Sequence, residues 1–242
     1  MNRRAFLTTT AVGLVALAAG SASARSISGR LPWTAFAGEP PTPVTPGGWH
    51  FFNPREVVLM EAIVDRLIPA DDLSVGGRDA GCVVFLDRQL AGPFGGAARA
   101  YMQGPFQEGL KTQGYQGSLT PSGRYRAGLA AFDKAVNDKL GARFETLSAD
   151  QQDAVLTDLE SGKLTLAGKV EASQFFALVL ENTMEGFFGD PVHGGNRDMA
   201  SWKMIGFPGA RYDYRDWVDQ HDKPYPRGPV SILGNIVEQQ AG

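Results

Sequence analysis

Apolar residues return every third or fourth position in five stretches of the chain, and nowhere do they alternate convincingly with polar ones. Val57, Met60, Val64 and Leu67 set the first helical stripe, widened by Leu59, Ile63 and Ile68. Asn53-Pro54-Arg55-Glu56 supplies its start, with Asn as N-cap, Pro at the first helical position and an acid in the first turn; Pro69 ends it. A second helix is expected over Asp79–Leu90, with Cys82, Val83, Phe85, Leu86 and Leu90 on its apolar side and Gly92–Gly96 closing it. A short helix is expected within Tyr101–Tyr115, weakened by its glycines. Thr120-Pro121 opens the next, where Tyr125, Leu129, Phe132, Val136 and Leu140 recur until Gly141. Ser148 and Gln151 form a capping box for a helix carrying Val155, Leu156 and Leu159, which stops near Gly162. Glu171–Phe188 is apolar on nearly every side, which assigns it to the centre of the domain. The pattern predicts an all-α fold, a small irregular helical bundle.

The central helix feeds into Gly186–Val218, which has no sustained period. Asp190-Pro191 and Gly194-Gly195-Asn196 are turn formers, and Asp198 is placed to cap a short helix through Met199, Trp202 and Met204. Phe207-Pro208-Gly209-Ala210 breaks that helix, after which Arg211–Trp217 alternates charge with aromatic rings. Two readings follow: the loop plugs its own bundle, or it offers an aromatic and arginine-rich contact surface. On the second reading the contact residues are Asp190, Asn196, Arg197, Trp202, Arg211, Tyr212, Tyr214 and Trp217. The tail from Gln220 to Gly242 is polar and Pro-rich at first, and Val230–Val237 is expected to make a short final contact.

Residues 1–24 carry a different signal. Arg3 and Arg4 are followed by Phe6 and Leu7, then by threonines, an Ala/Val/Leu run and the small-residue cleavage site Ala22-Ser23-Ala24. A basic head, a short apolar run and a cleavage site make a removable secretion signal, and the paired arginines with a weakly hydrophobic run indicate the twin-arginine route. The expected location is therefore the bacterial periplasm, reached by a chain exported already folded. Residues 25–48, dense in proline and glycine, form a linker that Trp33, Phe36, Trp49, Phe51 and Phe52 would pin to a surface. The helical domain proper is 49–242.

Charge and chemistry narrow the function classes. Net charge is −3, and loss of residues 1–24 would move it to −5, since Arg3 and Arg4 leave and no acid does. Such a chain is a poor nucleic-acid binder, which needs clustered Lys and Arg. No dinucleotide fingerprint, phosphate loop or nucleophile elbow occurs, so no catalytic residue, bound cofactor or metal is expected in this chain. His50, His193 and His221 lack metal-ligand spacing. His193 beside Asp190 leaves open an independent enzyme or ligand-binding module built on that loop. The single cysteine, Cys82, excludes an intrachain disulfide and a C-x-x-C-H haem attachment. On an apolar helix face it reads first as a buried small hydrophobe, and second as a thiol able to pair with another chain.

The segment GDPVHGGNRDMASWKMIGFPG carries a resemblance. Gly189, Asp190, Pro191, Gly194, Gly195, Asn196, Asp198, Trp202, Ile205, Gly206, Phe207, Pro208 and Gly209 fit the pattern of the small subunit, subunit 3 or gamma, of membrane-bound gluconate 2-dehydrogenase-type complexes. The resemblance implies a non-catalytic subunit. Its partners would be a large FAD-dependent subunit of the glucose–methanol–choline type, a multihaem cytochrome c subunit and the twin-arginine translocase. The flavin and haem c would belong to those partners, and the complex would sit at the periplasmic side of the inner membrane. It also implies, for some relatives, an intersubunit disulfide, for which Cys82 is the one candidate here.

Overall fold

The computed structural model describes residues 42–45, 47–107, 109–211 and 213–234. The signal at 1–24, most of the linker with Trp33 and Phe36, Tyr212 and the end of the tail lie outside the described residues. Among the described residues there are six α-helices and no strand, as the apolar periodicity predicts.

Helix α1, Pro54–Leu67, begins where the sequence places it. The Asn53 side chain accepts from the backbone N–H groups of Arg55 and Glu56 at 2.9 and 3.0 Å, and Glu56 accepts in return from the Asn53 N–H at 3.0 Å. A cap of this kind is worth about 1 kcal/mol. Helix α2, Cys82–Ala91, starts three residues later than expected. Residues 76–81 are instead spent on a tight turn, in which Gly77 N–H donates to Ile68 and Cys82 N–H to Gly77. Gly81 ends that turn at φ 84°, where a Cβ would stand 2.7 Å from the Gly194 carbonyl oxygen. The stretch 101–115 holds only a single 3-10 turn at Lys111–Gln113. Helices α3, Pro121–Leu140, and α4, Ala149–Glu160, carry the expected Thr120 and Ser148 caps.

Helix α5, Ala172–Phe188, lies at the middle, with α2 and α4 packed on it most extensively and α1 and α3 also in contact with it. Tyr125, Phe132, Phe144, Phe175 and Phe187 are fully buried, and Tyr125–Phe175 and Phe132–Phe144 meet edge to face. Gly128 on α3 lets the Phe175 ring lie so close that a Cβ would be 2.3 Å away. Helix α5 is not enclosed on every side, however. Gln174, Ala177, Glu181, Met184 and Glu185 form an exposed stripe at helical spacing. Its three polar members mark that face, and the abundance of phenylalanines masked them in the sequence.

The segment before α1 is fixed by one carboxylate. Asp87 of α2 is fully buried and accepts from the backbone N–H groups of His50, Phe51 and Phe52, each at 2.9 Å. Arg88 pairs with Asp87 and donates to the Gly47 carbonyl at 2.6 Å. Burial alone would raise the Asp87 pKa, but those backbone donors and Arg88 outweigh it and hold the carboxyl below its usual range. Phe52 is the plug that this clamp seats in the core, whereas Trp49 stays exposed. A little upstream, Val44 N–H donates to the Val192 carbonyl at 2.9 Å, so the described end of the linker runs against the glycine-rich loop.

Candidate functional site

At the end of α5 the chain enters a cap made by glycines and short polar side chains. Gly189 N–H closes the helix on the Glu185 carbonyl at 2.8 Å. A 3-10 turn over Pro191–His193 follows, and the chain then crosses back over the helix at Gly195. A Cβ there would sit 2.1 Å from the Gly186 carbonyl oxygen, so two glycines let backbone lie on backbone. Asn196, Asp198 and Met199 all adopt left-handed backbone, at φ 43°, 57° and 54°. Non-glycine residues in that region cost of order 1–3 kcal/mol each and persist only where surroundings hold them.

Asn196 does the holding. It is fully buried; its Nδ2 donates to the Gly189 carbonyl at 2.9 Å, and its Oδ1 accepts from Ser201 N–H at 3.1 Å and Ser201 Oγ at 2.8 Å. One side chain thus joins the end of α5 to the start of α6, Ala200–Ile205. Trp202 on α6 is 5% exposed, lies edge to face with Phe207, and donates from Nε1 to the Phe188 carbonyl at 2.8 Å. Asp190 joins the tail to the cap: it accepts from Val192 N–H, Ser231 Oγ and Ile232 N–H at 3.0, 2.7 and 2.7 Å. The final contact expected from Val230 onward forms, with Ala210 N–H donating to Val230 and a parallel bridge pairing Gly209 with Val230.

The residues expected to face a partner therefore divide. Asn196 and Trp202 are buried within the chain, and Asp190 spends its carboxylate on three internal donors, so these three shape the cap from inside. The physical reason is the glycine crossing at 186 and 195, which brings the loop onto its own helix. Arg197 is exposed and ties back to the Asp79 carbonyl at 3.3 Å. Arg211, Tyr214 and Trp217 lie at the surface around a residue that sequence reading passed over, Tyr225. Ring centroids of Tyr214 and Trp217 are 5.4 and 6.1 Å from that of Tyr225, and the Arg211 guanidinium lies 5.9 Å from it. The only hint in the sequence is that Tyr225 stands between two prolines. Trp217 Nε1 is buried with no acceptor among the described residues.

A cleft of about 340 Å³ opens beside the cap, lined by Phe85, Gln89, Phe94, Asn182, Glu185 and His193. Behind it, the Tyr125 hydroxyl donates to Asn182 Oδ1 at 3.2 Å and Asn182 Nδ2 donates to Glu185 at 3.0 Å. Burial pushes the Tyr125 hydroxyl far above its ordinary value, so it stays a neutral donor. His193 reaches this cleft, but Asp190 is turned away to the tail. The two do not form the acid–base pair that an independent enzyme on this loop would use.

Cys82 is fully buried, and burial pushes its thiol up to about 12. In this chain by itself the thiol is neutral and enclosed, so it is not offered at the surface for pairing with another chain. Among the described residues no three His, Cys, Asp or Glu side chains stand together as a metal site, and no helix is long and apolar enough to cross a membrane.

These features define an all-α domain whose central helix runs into a glycine-built cap, with an aromatic surface on one part and a cleft on another. The family model for gluconate 2-dehydrogenase subunit 3 matches residues 54–209, well over half of the 242, and the chain belongs to that family. The match takes in the whole cap from Gly186 to Gly209 and stops before Arg211, Tyr214, Trp217 and Tyr225. No curated protein and no solved structure matches the chain.

Proposed function

We propose that this chain is the non-catalytic small subunit of a periplasmic, membrane-associated, FAD-dependent sugar, sugar-acid or polyol dehydrogenase complex. It escorts the large flavoprotein subunit through twin-arginine export and stabilises it afterwards. The observation that carries this reading is the family match across the cap, the part of the chain whose geometry is most demanding. The flavin belongs to the large subunit and haem c to a multihaem cytochrome c subunit. The single Cys82 cannot supply the two thioether links of a C-x-x-C-H haem site here.

Surface chemistry supports a subunit role. Ile205 at the end of α6, Phe207, Tyr214, Val218 and Ile232 on the segments after it, and Tyr101 and Leu110 on the long 92–119 loop are exposed. Exposed apolar side chains of this size are available for burial against a partner. The Trp217 indole N–H has no acceptor among the described residues, and a buried donor left so costs about 1–3 kcal/mol, which a partner's acceptor would remove. The Arg3 and Arg4 pair would provide the export signal for both subunits, and Ala22-Ser23-Ala24 the cleavage site.

The test is co-expression with the large subunit in cells with an active twin-arginine system. Replacing Arg3 and Arg4 by Lys should leave both chains, and the dehydrogenase activity, in the cytoplasm. Export of the large subunit regardless would end the escort reading.

A further inference from the structure

We propose that the cleft between α2, α5 and the 190–195 turn receives a basic side chain, arginine or lysine, presented by the large subunit. This rests on the subunit reading above and gives that partner's contact a chemistry. The floor of the cleft is Phe85 and Asn182, only 8% and 3% exposed. Tyr125 holds Asn182 from behind, and Asn182 holds one oxygen of Glu185. That two-step brace fixes the direction of the carboxylate. Among the described residues the Glu185 carboxylate has no cation partner, and the bond from Asn182 is its one hydrogen bond.

The lining selects among occupants. No Lys or Arg lines the cleft and His193 is its one basic side chain, so an anion would meet the Glu185 carboxylate with no permanently charged cation beside it. A purely apolar group would strip water from Glu185, Gln89 and Asn182 without replacing its hydrogen bonds, which is unfavourable. A cation on an apolar stem satisfies both halves. Its stem lies between the Phe85 and Phe94 rings, its charge attracts their faces, and its N–H groups reach the braced carboxylate and the free Gln89 amide oxygen. At about 340 Å³ the cleft is at the small end for ligand sites and has room for one long side chain.

The surroundings favour a side chain carried by a protein. Met184, next to Glu185 in the chain, is 41% exposed, and Phe94 belongs to the 92–119 loop, whose Tyr101 and Leu110 are 82% and 71% exposed. A charged anchor entering a pocket with apolar surface beside it is the layout of an interface hot spot.

The test uses the full co-expressed complex with photoreactive benzoyl-phenylalanine in place of Met184, which is exposed next to Glu185 and does not line the cleft. Irradiation is expected to join the two subunits at a large-subunit peptide containing Arg or Lys. Glu185→Gln should weaken complex affinity at least tenfold and Glu185→Lys more, with melting temperatures within a degree or two of wild type because the side chain is exposed. A complex that forms normally with no crosslink, or that ignores both Glu185 variants, overturns the proposal and leaves the escort reading intact. Calorimetry with agmatine covers the other source: saturable binding lost in Glu185→Gln, with the complex unaffected, would make this a small-molecule site and overturn the partner assignment. Absence of any complex with the wild-type chain would end both readings together.

Discussion

The indole nitrogen of Trp202 donates to the carbonyl oxygen of Phe188 at 2.8 Å. Phe188 is the last residue of the central helix, so its carbonyl has no partner within the helix. Trp202 supplies that partner and, with Phe207 against its ring, seals the cap. The residue that looks most like an interface anchor in the sequence is a structural closure.

Trp202→Ala should therefore lower stability by about 3–5 kcal/mol, the cost of emptying a buried aromatic site. Trp202→Phe keeps most of the ring and should lose about 1–3 kcal/mol through the unpaired Phe188 carbonyl. Tyr214→Ala, at the surface, should leave chemical denaturation unchanged and reduce the large subunit recovered with the chain. A Trp202→Ala protein as stable as wild type would return that residue to the outside surface.

The glycine crossing makes a separate prediction. Gly195→Ala should destabilise by about 1–3 kcal/mol, because the new methyl meets the Gly186 backbone and not a movable side chain. Gly228→Ala serves as the control, since nothing lies within 4 Å of its added carbon. Equal midpoints in urea for the two variants would mean that the crossing is looser than described.

Asp87 should give the domain an acid-sensitive component. Its folded pKa lies below the unfolded value, so its stabilisation is fully present above the ordinary aspartate range near 4. It is then lost as pH falls through the folded value. Asp87→Asn should be less stable at pH 7 by about 3–5 kcal/mol, as expected when one member of a buried, hydrogen-bonded pair is removed. The gap to wild type should narrow between pH 5 and pH 2, measured by urea unfolding. A gap that stays constant over that range would show that the Asp87 charge is not what holds the segment 50–52.

Cys82 should be inert. A thiol reagent at pH 8 should label it in less than a tenth of molecules while the protein is folded, and fully after denaturation. Under non-reducing denaturing conditions the subunits of a purified complex should run apart. A covalent band that disappears with reductant and in Cys82→Ser would show that the thiol becomes reachable during assembly.

Helix starts were legible because their signals are local. Asn53, Thr120 and Ser148 each reach backbone N–H groups two or three residues ahead, so the cap is written within one turn. The start of α2 was misplaced because it depends on Gly81 meeting Gly194, more than a hundred residues away. The exposed stripe of α5 is hidden in the sequence for a related reason: Phe175 and Phe187 are buried among other elements, and the helix keeps one narrow face open at Gln174, Ala177, Glu181, Met184 and Glu185.

For the loop region, the sequence by itself determined that Gly186–Val218 would be irregular and rich in turns, and which residues carried the family pattern. It also determined the all-α class, since the 3.6-residue period needs no partner to be seen. Only the tertiary structure decided which loop side chains face inward. Asn196 is an inward brace because Gly189 and Ser201 come together around it, and Asp190 is one because the tail returns to it. Likewise Phe85, Asn182 and His193 share a cleft only because α2, α5 and the turn converge. Those relations join residues far apart in the chain or across a folded-back loop, where residue type names the available donors and acceptors but not their partners.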